Sequence, residues 1–441
     1  MVLSTELITR LLGAIQTNSL VFLCGAGLSI PSPSNLPSAK KISETCYDAW
    51  LPKEPTLDPS FRSNVDLLAG HFHADGAFKV FLSLVPWNDL VGPPNKGHAA
   101  IADLLITRAA HAALSANFDS MIEQWAEERR VMLRGALTGQ DAVTFASNSN
   151  VNPLVKFHGC IRRDRDNTLW TQGQLDEPDI KARVASCSHW MNQNLPGKDL
   201  IVVGFWTDWG YLNDVLANAF EIINASSVTV IDPSPSADLQ SKAPILWTKL
   251  TGLSGSFQHI QGSGAEALDE LRTAYSKAWV REFYALGAPS IIGAGGTVPS
   301  TAIADDLEGE DLYSFRCDAE GVPYDGAAKR KKPDPGAAAA AYAHMILLDA
   351  GATKEGAWLK HDGKSVRIIN GAGQGLAQVK EKYKEPTTLP QAEIVVCAGA
   401  FDYGTPARII DSGRGASTVH PGSGGMAKWL TLEQAKVELA I

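Results

Sequence analysis

Leu20-Val21-Phe22-Leu23-Cys24-Gly25-Ala26-Gly27-Leu28-Ser29 reads as an apolar strand, Leu20 to Leu23, that runs straight into Gly-Ala-Gly. Glycine turns freely and lets the main chain approach a neighbour closely. A strand ending this way leaves backbone N–H groups with no side chains between them and a phosphate, which is how a chain cradles a pyrophosphate. Gly-x-Gly also closes ordinary strand-to-helix turns, so the rest of the chain has to decide between the two.

Outward from this run, residues 1 to about 285 alternate strand and helix patterns, the signature of an α/β fold. Ser4 to Gln16 carries helical spacing (Leu7, Ile8, Leu11, Leu12, Ile15). Helices are also expected over His98 to Leu105, Phe118 to Arg129, Tyr211 to Ile223 and Ala265 to Tyr284. Short apolar strands are expected over His111 to Ser115, Pro153 to Phe157, Asp199 to Phe205 and Ser227 to Ile231. Continuously apolar strands between helices predict a Rossmann-like parallel sheet with helices on both faces. Near Gly287 the texture changes. Ile291 to Gly296 is glycine-rich, an acidic patch follows at Asp305 to Asp311, and Lys329 to Lys332 is a basic run. The expected domains are therefore 1–286 and a smaller C-terminal α/β or α+β domain, 287–441.

The chain has 441 residues, 45% of them hydrophobic and 20% charged, with a formal net charge of −9. That length exceeds one ordinary core. The negative balance argues against direct nucleic-acid binding. No apolar run approaches the roughly 20 residues that span a bilayer, and the start of the chain has no signal-peptide pattern. No membrane association and a cytoplasmic location are the resulting expectations. Cys24, Cys46, Cys160, Cys187, Cys317 and Cys397 are scattered, without a Cys-x-x-Cys pair. Neither a zinc site nor disulfides are expected, and no metal ligand is assigned.

Four strand ends carry polar or glycine groups that a doubly wound sheet would bring to one crevice. They are Gly25-Ala26-Gly27 with Ser29 behind it, Asn117-Phe118-Asp119, His158-Gly159, and Gly204-Phe205-Trp206-Thr207-Asp208. At these residues the chain resembles the sirtuin family, whose motifs are Gly-Ala-Gly-x-Ser, Asn-x-Asp and His-Gly. The segment Gly97-His98-Ala99-Ala100-Ile101-Ala102 is similar to the family too. Gly204 to Asp208, followed by Tyr211-Leu212, resembles the Gly-Phe-Ser-x-x-Asp form of bacterial defence members. The resemblance covers roughly residues 15 to 285. Two features of the deacylases are missing, the Cys-x-x-Cys zinc module and the Pro-Asp-Phe-Arg segment, since this chain reads Ile30 to Pro37 after the loop. The branch lacking both consists of defence-associated NAD hydrolases. The resemblance therefore implies NAD+ as substrate, cleavage to nicotinamide and ADP-ribose, and a role in anti-phage abortive infection. It also implies control through a homo-oligomer, a regulatory protein partner or a signal nucleotide. A deacylase or ADP-ribosyltransferase, and a non-catalytic NAD sensor, are the alternatives.

The chemistry of that cleavage suits the residues present. Breaking the nicotinamide–ribose bond builds positive charge on the sugar, as in glycoside hydrolysis, and the cationic leaving group needs no general acid. Histidine suits a base or a ribose-hydroxyl ligand, a role assigned to His158. Asn117 is assigned as positioner of ribose and water. Gly25, Ala26, Gly27, Ser29, Asp119, Gly204, Phe205, Asp208 and Asp232 are assigned to NAD+ binding. Each has a plainer reading. Asn117 and Asp208 suit helix caps, Asp119 suits the first turn of a helix, and Asp232-Pro233 suits a turn. His158 also suits the core, and Trp206 and Trp209 suit either pocket wall or packing. His71, His73, His98 and His111 are read as structural. Gly371-Ala372-Gly373-Gln374-Gly375, after the strand Val366 to Ile369, reads either as a second nucleotide loop or as a glycine-rich turn in a partner-docking domain.

Overall fold

A computed structural model describes residues 2–207, 225–252, 256–293, 309–316, 335–355, 358–371, 373–382, 392–402 and 427–441. Asp208, Trp209, the expected helix from Tyr211, Cys317 and the basic run Lys329 to Lys332 lie outside them. The chain divides into two units, Met1–Arg272 and Thr273–Ile441. That division falls within the helix Gly264–Gly293, which continues through Pro289. The change of texture near Gly287 lies further along the same helix.

The first unit is built on seven strands: β1 (Leu20–Cys24), β2 (Ala112–Ser115), β3 (Gly135–Ala136), β4 (Leu154–Lys156), β5 (Asp199–Val203), β6 (Ser227–Asp232) and β7 (Phe257–Gln261). All pairs are parallel, in the order β3-β4-β2-β1-β5-β6-β7. The expected parallel α/β sheet is thus present. Successive strand residues point to opposite faces, and every residue of β1 is buried, so both faces are covered. On one face Val21 and Leu23 join Leu114, Val155, Val202 and Val230 under Cys187, Trp190 and Leu246 of the helices Pro178–Asn194 and Pro244–Gly252. Thr229 faces the other way. Its hydroxyl accepts from Arg10 of the helix Thr5–Gln16 at 2.7 Å. Ser4 caps that helix by accepting from the Leu7 N–H.

Between β1 and β2 the chain inserts the helices Ala39–Trp50, Val65–Ala74 and Phe78–Leu84, which pack round Phe72, Phe81 and Trp170 in a separate aromatic core. Sequence patterning alone predicts no element over this insert. Sheet order reverses at β1: the chain fills β2, β3 and β4 on one side, then crosses to β5 on the other. In an open α/β sheet that reversal opens a crevice at the carboxyl ends of the strands.

The second unit holds β8 (Thr353–Glu355), β9 (Trp358–His361), β10 (Lys364–Asn370), β11 (Ile394–Ala398) and β12 (Lys428–Thr431), ordered β12-β11-β10-β9-β8. β10, β11 and β12 run parallel, whereas β8 and β9 form antiparallel pairs. Gly371, after β10, sits so close to the next strand end that a Cβ there would lie 2.6 Å from the Ala400 nitrogen. Tight turn packing accounts for this glycine. Among the described residues no helix is long and apolar enough to cross a membrane, and no group of three or more His, Cys, Asp or Glu is placed to hold a metal ion. Cys24, Cys46, Cys160, Cys187 and Cys397 are buried free thiols. Burial pushes the thiols of Cys24, Cys46, Cys187 and Cys397 up to about 12.

Candidate functional site

Register alone gathers most of the singled-out residues. Cys24 pairs with both Ser115 and Val203, Ser115 with Lys156, and Val203 with Ile231. Gly25, Ala116, Phe157 and Gly204 therefore leave the sheet at one level, that of Asp232, the last residue of β6. Asn117 and His158 each stand two residues beyond the paired residues Ser115 and Lys156.

The glycine loop differs from its expected form. The N–H of Gly25 donates to Val203 O at 3.1 Å and that of Gly27 to Gly204 O at 2.8 Å. Leu28 N–H donates to Gly25 O and Ser29 N–H to Ala26 O. Ala26 alone of these five has an N–H without a partner among the described residues, so the loop is not a row of bare donors. Its glycines serve close approach instead. A Cβ on Gly25 would lie 2.7 Å from Gly204 O, and one on Gly27 would lie 2.8 Å from the Gly204 Cα. Gly204 has φ +60°, and a Cβ there would strike the Leu28 nitrogen. A left-handed residue other than glycine costs about 1–2 kcal/mol before any such clash.

Behind the loop lies a closed hydrogen-bond network. Asn95 caps the helix Lys96–Ile106, and its N–H donates to His98 Nδ1 at 3.2 Å. The His98 proton therefore sits on Nε2, which donates to Ser29 Oγ at 3.1 Å. Ser29 Oγ also accepts from Asn117 Nδ2 at 3.2 Å and donates to Asp119 Oδ2 at 2.8 Å. Burial holds His98 below its ordinary value, which suits a neutral ring in this role. Asn117 Nδ2 spends its other proton on Gly25 O at 3.0 Å. Its Oδ1 is left as the acceptor, with no partner among the described residues. Asn117 is thus not a helix cap. The helix starts at Met121, later than expected, and Asp119 Oδ1 accepts the Met121 N–H. Asp119 consequently precedes the helix, and both its oxygens accept from protein donors.

His158 is buried, its ring hydrogen-bonded to the Ala116 carbonyl. Burial, reinforced by the nearby Arg183 cation, lowers its pKa to about 3. Arg183 is itself buried and pairs with Asp164 at 2.9 Å. Since the unfolded ring titrates near 6.5, the folded protein binds fewer protons than the unfolded chain between those values. Stability is therefore complete above pH 6.5 and declines as pH falls toward 3. Urea midpoints measured at pH 7, 5.5 and 4 should fall in turn, and less steeply in His158→Gln, which retains a donor without the titration. Equal slopes would place the acid sensitivity elsewhere.

No family model matches the chain. No curated protein matches it either. Among solved structures, a Sir2 enzyme from a study of mechanism and regulation aligns at 16% identity and TM-score 0.36, covering 63% of this chain and 99% of its own. A Sir2 homologue in complex with NAD aligns at 15% and 0.37, covering 61% and 94%. A mutant Sir2 homologue bound to ADP-ribose aligns at 16% and 0.36, covering 61% and 97%.

Of the remaining residues, Phe205 is buried, and Trp206, partly buried, donates to Leu239 O and packs on Trp247 against the hydrophobic core. Asp232 ends β6 with Oδ1 accepting the Ser234 N–H at 2.8 Å, the turn its Asp-Pro sequence suggests. His71 and His73 face Glu54 and Glu177. Sequence reading missed Asn95, the part played by His98, and the buried pair Lys156–Glu123. Asn95 followed three residues later by His98 is a capping pattern, and Lys156 is a charge at the end of an apolar strand.

Proposed function

We propose that the first unit binds NAD+ and hydrolyses its nicotinamide–ribose bond, giving nicotinamide, ADP-ribose and a proton. The carrying observation is that Asn117 and His158 leave adjacent paired strands at the same step, beside the reversal point of the sheet. As the bond breaks, its electrons go to the pyridine nitrogen and the sugar becomes cationic; water then adds at that carbon. In this reading the neutral His158 imidazole acts as a ribose-hydroxyl or water ligand, accepting a hydrogen bond, because burial and Arg183 hold its pKa at about 3, too low for a strong base. Asn117 Oδ1 accepts from the hydroxyl or water, because both amide protons are already held by protein. Ser29, His98 and Asp119 fix that amide. Ala26 N–H and the Gly25, Gly27 and Gly204 backbone form the floor under the diphosphate, and Asp232, with Phe205, belongs to the adenosine side.

The setting is part of the same proposal and follows from the sequence resemblance: a cytoplasmic effector of bacterial anti-phage defence. Its control would run through the C-terminal region, by oligomerisation, a partner protein or a signal nucleotide. The test is nicotinamide release by the full chain, alone and with the proteins encoded beside it, with and without acetylated peptide. Release that needs no peptide is expected. Peptide-dependent release would make it a deacylase, and NAD+ binding without turnover would make it a sensor.

A further inference from the structure

Lys156 ends β4, and its side chain is 1% exposed although it carries an ammonium. Nζ donates to the backbone carbonyl of Asp119, to Glu123 Oε1 at 3.1 Å and to Cys160 Sγ at 3.8 Å. Glu123 lies on the helix Met121–Glu128 and is buried too. Gly135 on β3 makes room for the pair. A Cβ there would meet the Lys156 stem and lie 2.8 Å from Glu123 Oε1. Burial works against the charge, but Glu123, Cys160 and Asp119 together hold Lys156 above the ordinary lysine value.

A buried ion pair is poor value as a source of stability, because apolar residues of similar volume often serve a core as well or better. What this cation touches is more specific. The Asp119 carbonyl lies just past Asn117, and Lys156 lies two residues before His158. One ammonium joins the two chain segments that carry the candidate catalytic side chains.

We propose that Lys156 is a positioning residue, whose bond to the Asp119 carbonyl sets the spacing of Asn117 and His158. This rests on the site being the NAD+ hydrolase proposed above. Glu123 is its counter-charge and does not itself hold the Asn117 segment.

The test uses the full chain and three variants. Lys156→Met with Glu123→Leu removes both charges and leaves no orphaned ion, so thermal unfolding should stay within a few degrees of wild type. Its kcat should fall about 10–100-fold while KM and the ADP-ribose Kd stay within about threefold, as for a misplaced rather than missing group. Amides of residues 117 to 121 should exchange with solvent faster. Lys156→Arg, which keeps a donor, should recover most of the rate, and Glu123→Gln should retain it. A folded double variant with wild-type kcat and exchange would overturn the assignment. So would a loss in Glu123→Gln matching that of the double variant, which would locate the effect in the ion pair. Should the double variant not fold, Lys156→Arg and Glu123→Gln decide by the same criteria. A wild-type protein that releases no nicotinamide would sink the hydrolase reading alone, since amide exchange still reports whether Lys156 holds the Asn117 segment.

Discussion

Replacing His158 with alanine is expected to lower nicotinamide release by about 10²–10⁴-fold while leaving ADP-ribose affinity within about threefold. The ring sits past the end of β4 against the Ala116 carbonyl, next to the Asn117 backbone. With its pKa near 3 it stays neutral across the physiological range, so the rate should show no acid limb near pH 6.5. Asn117→Ala should cost a similar factor in rate. It should also cost about 1–3 kcal/mol of stability, because the Gly25 carbonyl and Ser29 Oγ each lose a buried donor. Thermal unfolding must therefore accompany the kinetics of that variant. A His158→Ala protein with undiminished turnover would return His158 to the ranks of packed core residues.

The largest stability effect is expected at a buried ion pair in the same unit. Arg272 Nε donates to Asp103 Oδ2 at 2.7 Å, with both side chains almost fully enclosed. The guanidinium also lies 5.0 Å from the Trp125 ring centre. Arg272→Met strands a buried carboxylate, a change worth about 3–5 kcal/mol. For a unit of this size that corresponds to a drop in Tm on the order of 10 °C. Adding Asp103→Leu to the same protein should recover most of the loss, because no lone charge then remains. An Arg272→Met variant melting with wild type would show that the carboxylate is satisfied without this partner.

The sheet was legible because its strands are short apolar runs buried on both faces, and such runs leave few alternatives. The expected strand from Leu20 appears as Leu20–Cys24, and that from Ser227 as Ser227–Asp232. The first site motifs were legible for the same reason, since glycine and polar residues interrupt those runs at one level. Three things were not. β3 is two residues long and β7 only half-buried, so neither carries an apolar run to read. The inserted helices between β1 and β2 bury aromatics against residues far away in sequence, such as Trp170. Most tellingly, the use of each polar atom depends on its neighbours. The Gly25 and Gly27 amides look open in sequence and are taken in the fold by Val203 and Gly204. Asn117 looks like a cap and instead has its amide protons on Gly25 and Ser29, while Asp119, ahead of the Ser120 N-cap position, accepts the Met121 N–H.

Gly25, Gly27 and Gly204 put peptide against peptide where the two halves of the first unit's sheet meet. That seam offers no side chain to exchange, and any added carbon displaces two strand ends together. If the first unit binds NAD+ as proposed, altered preference for one dinucleotide over another is expected to arise on the rim, in the segment after Ser29 and in the turns after β2, β4 and β6. The crevice is divided into an immutable base and an adjustable margin, and a library aimed at new substrates should spare the first and randomise the second.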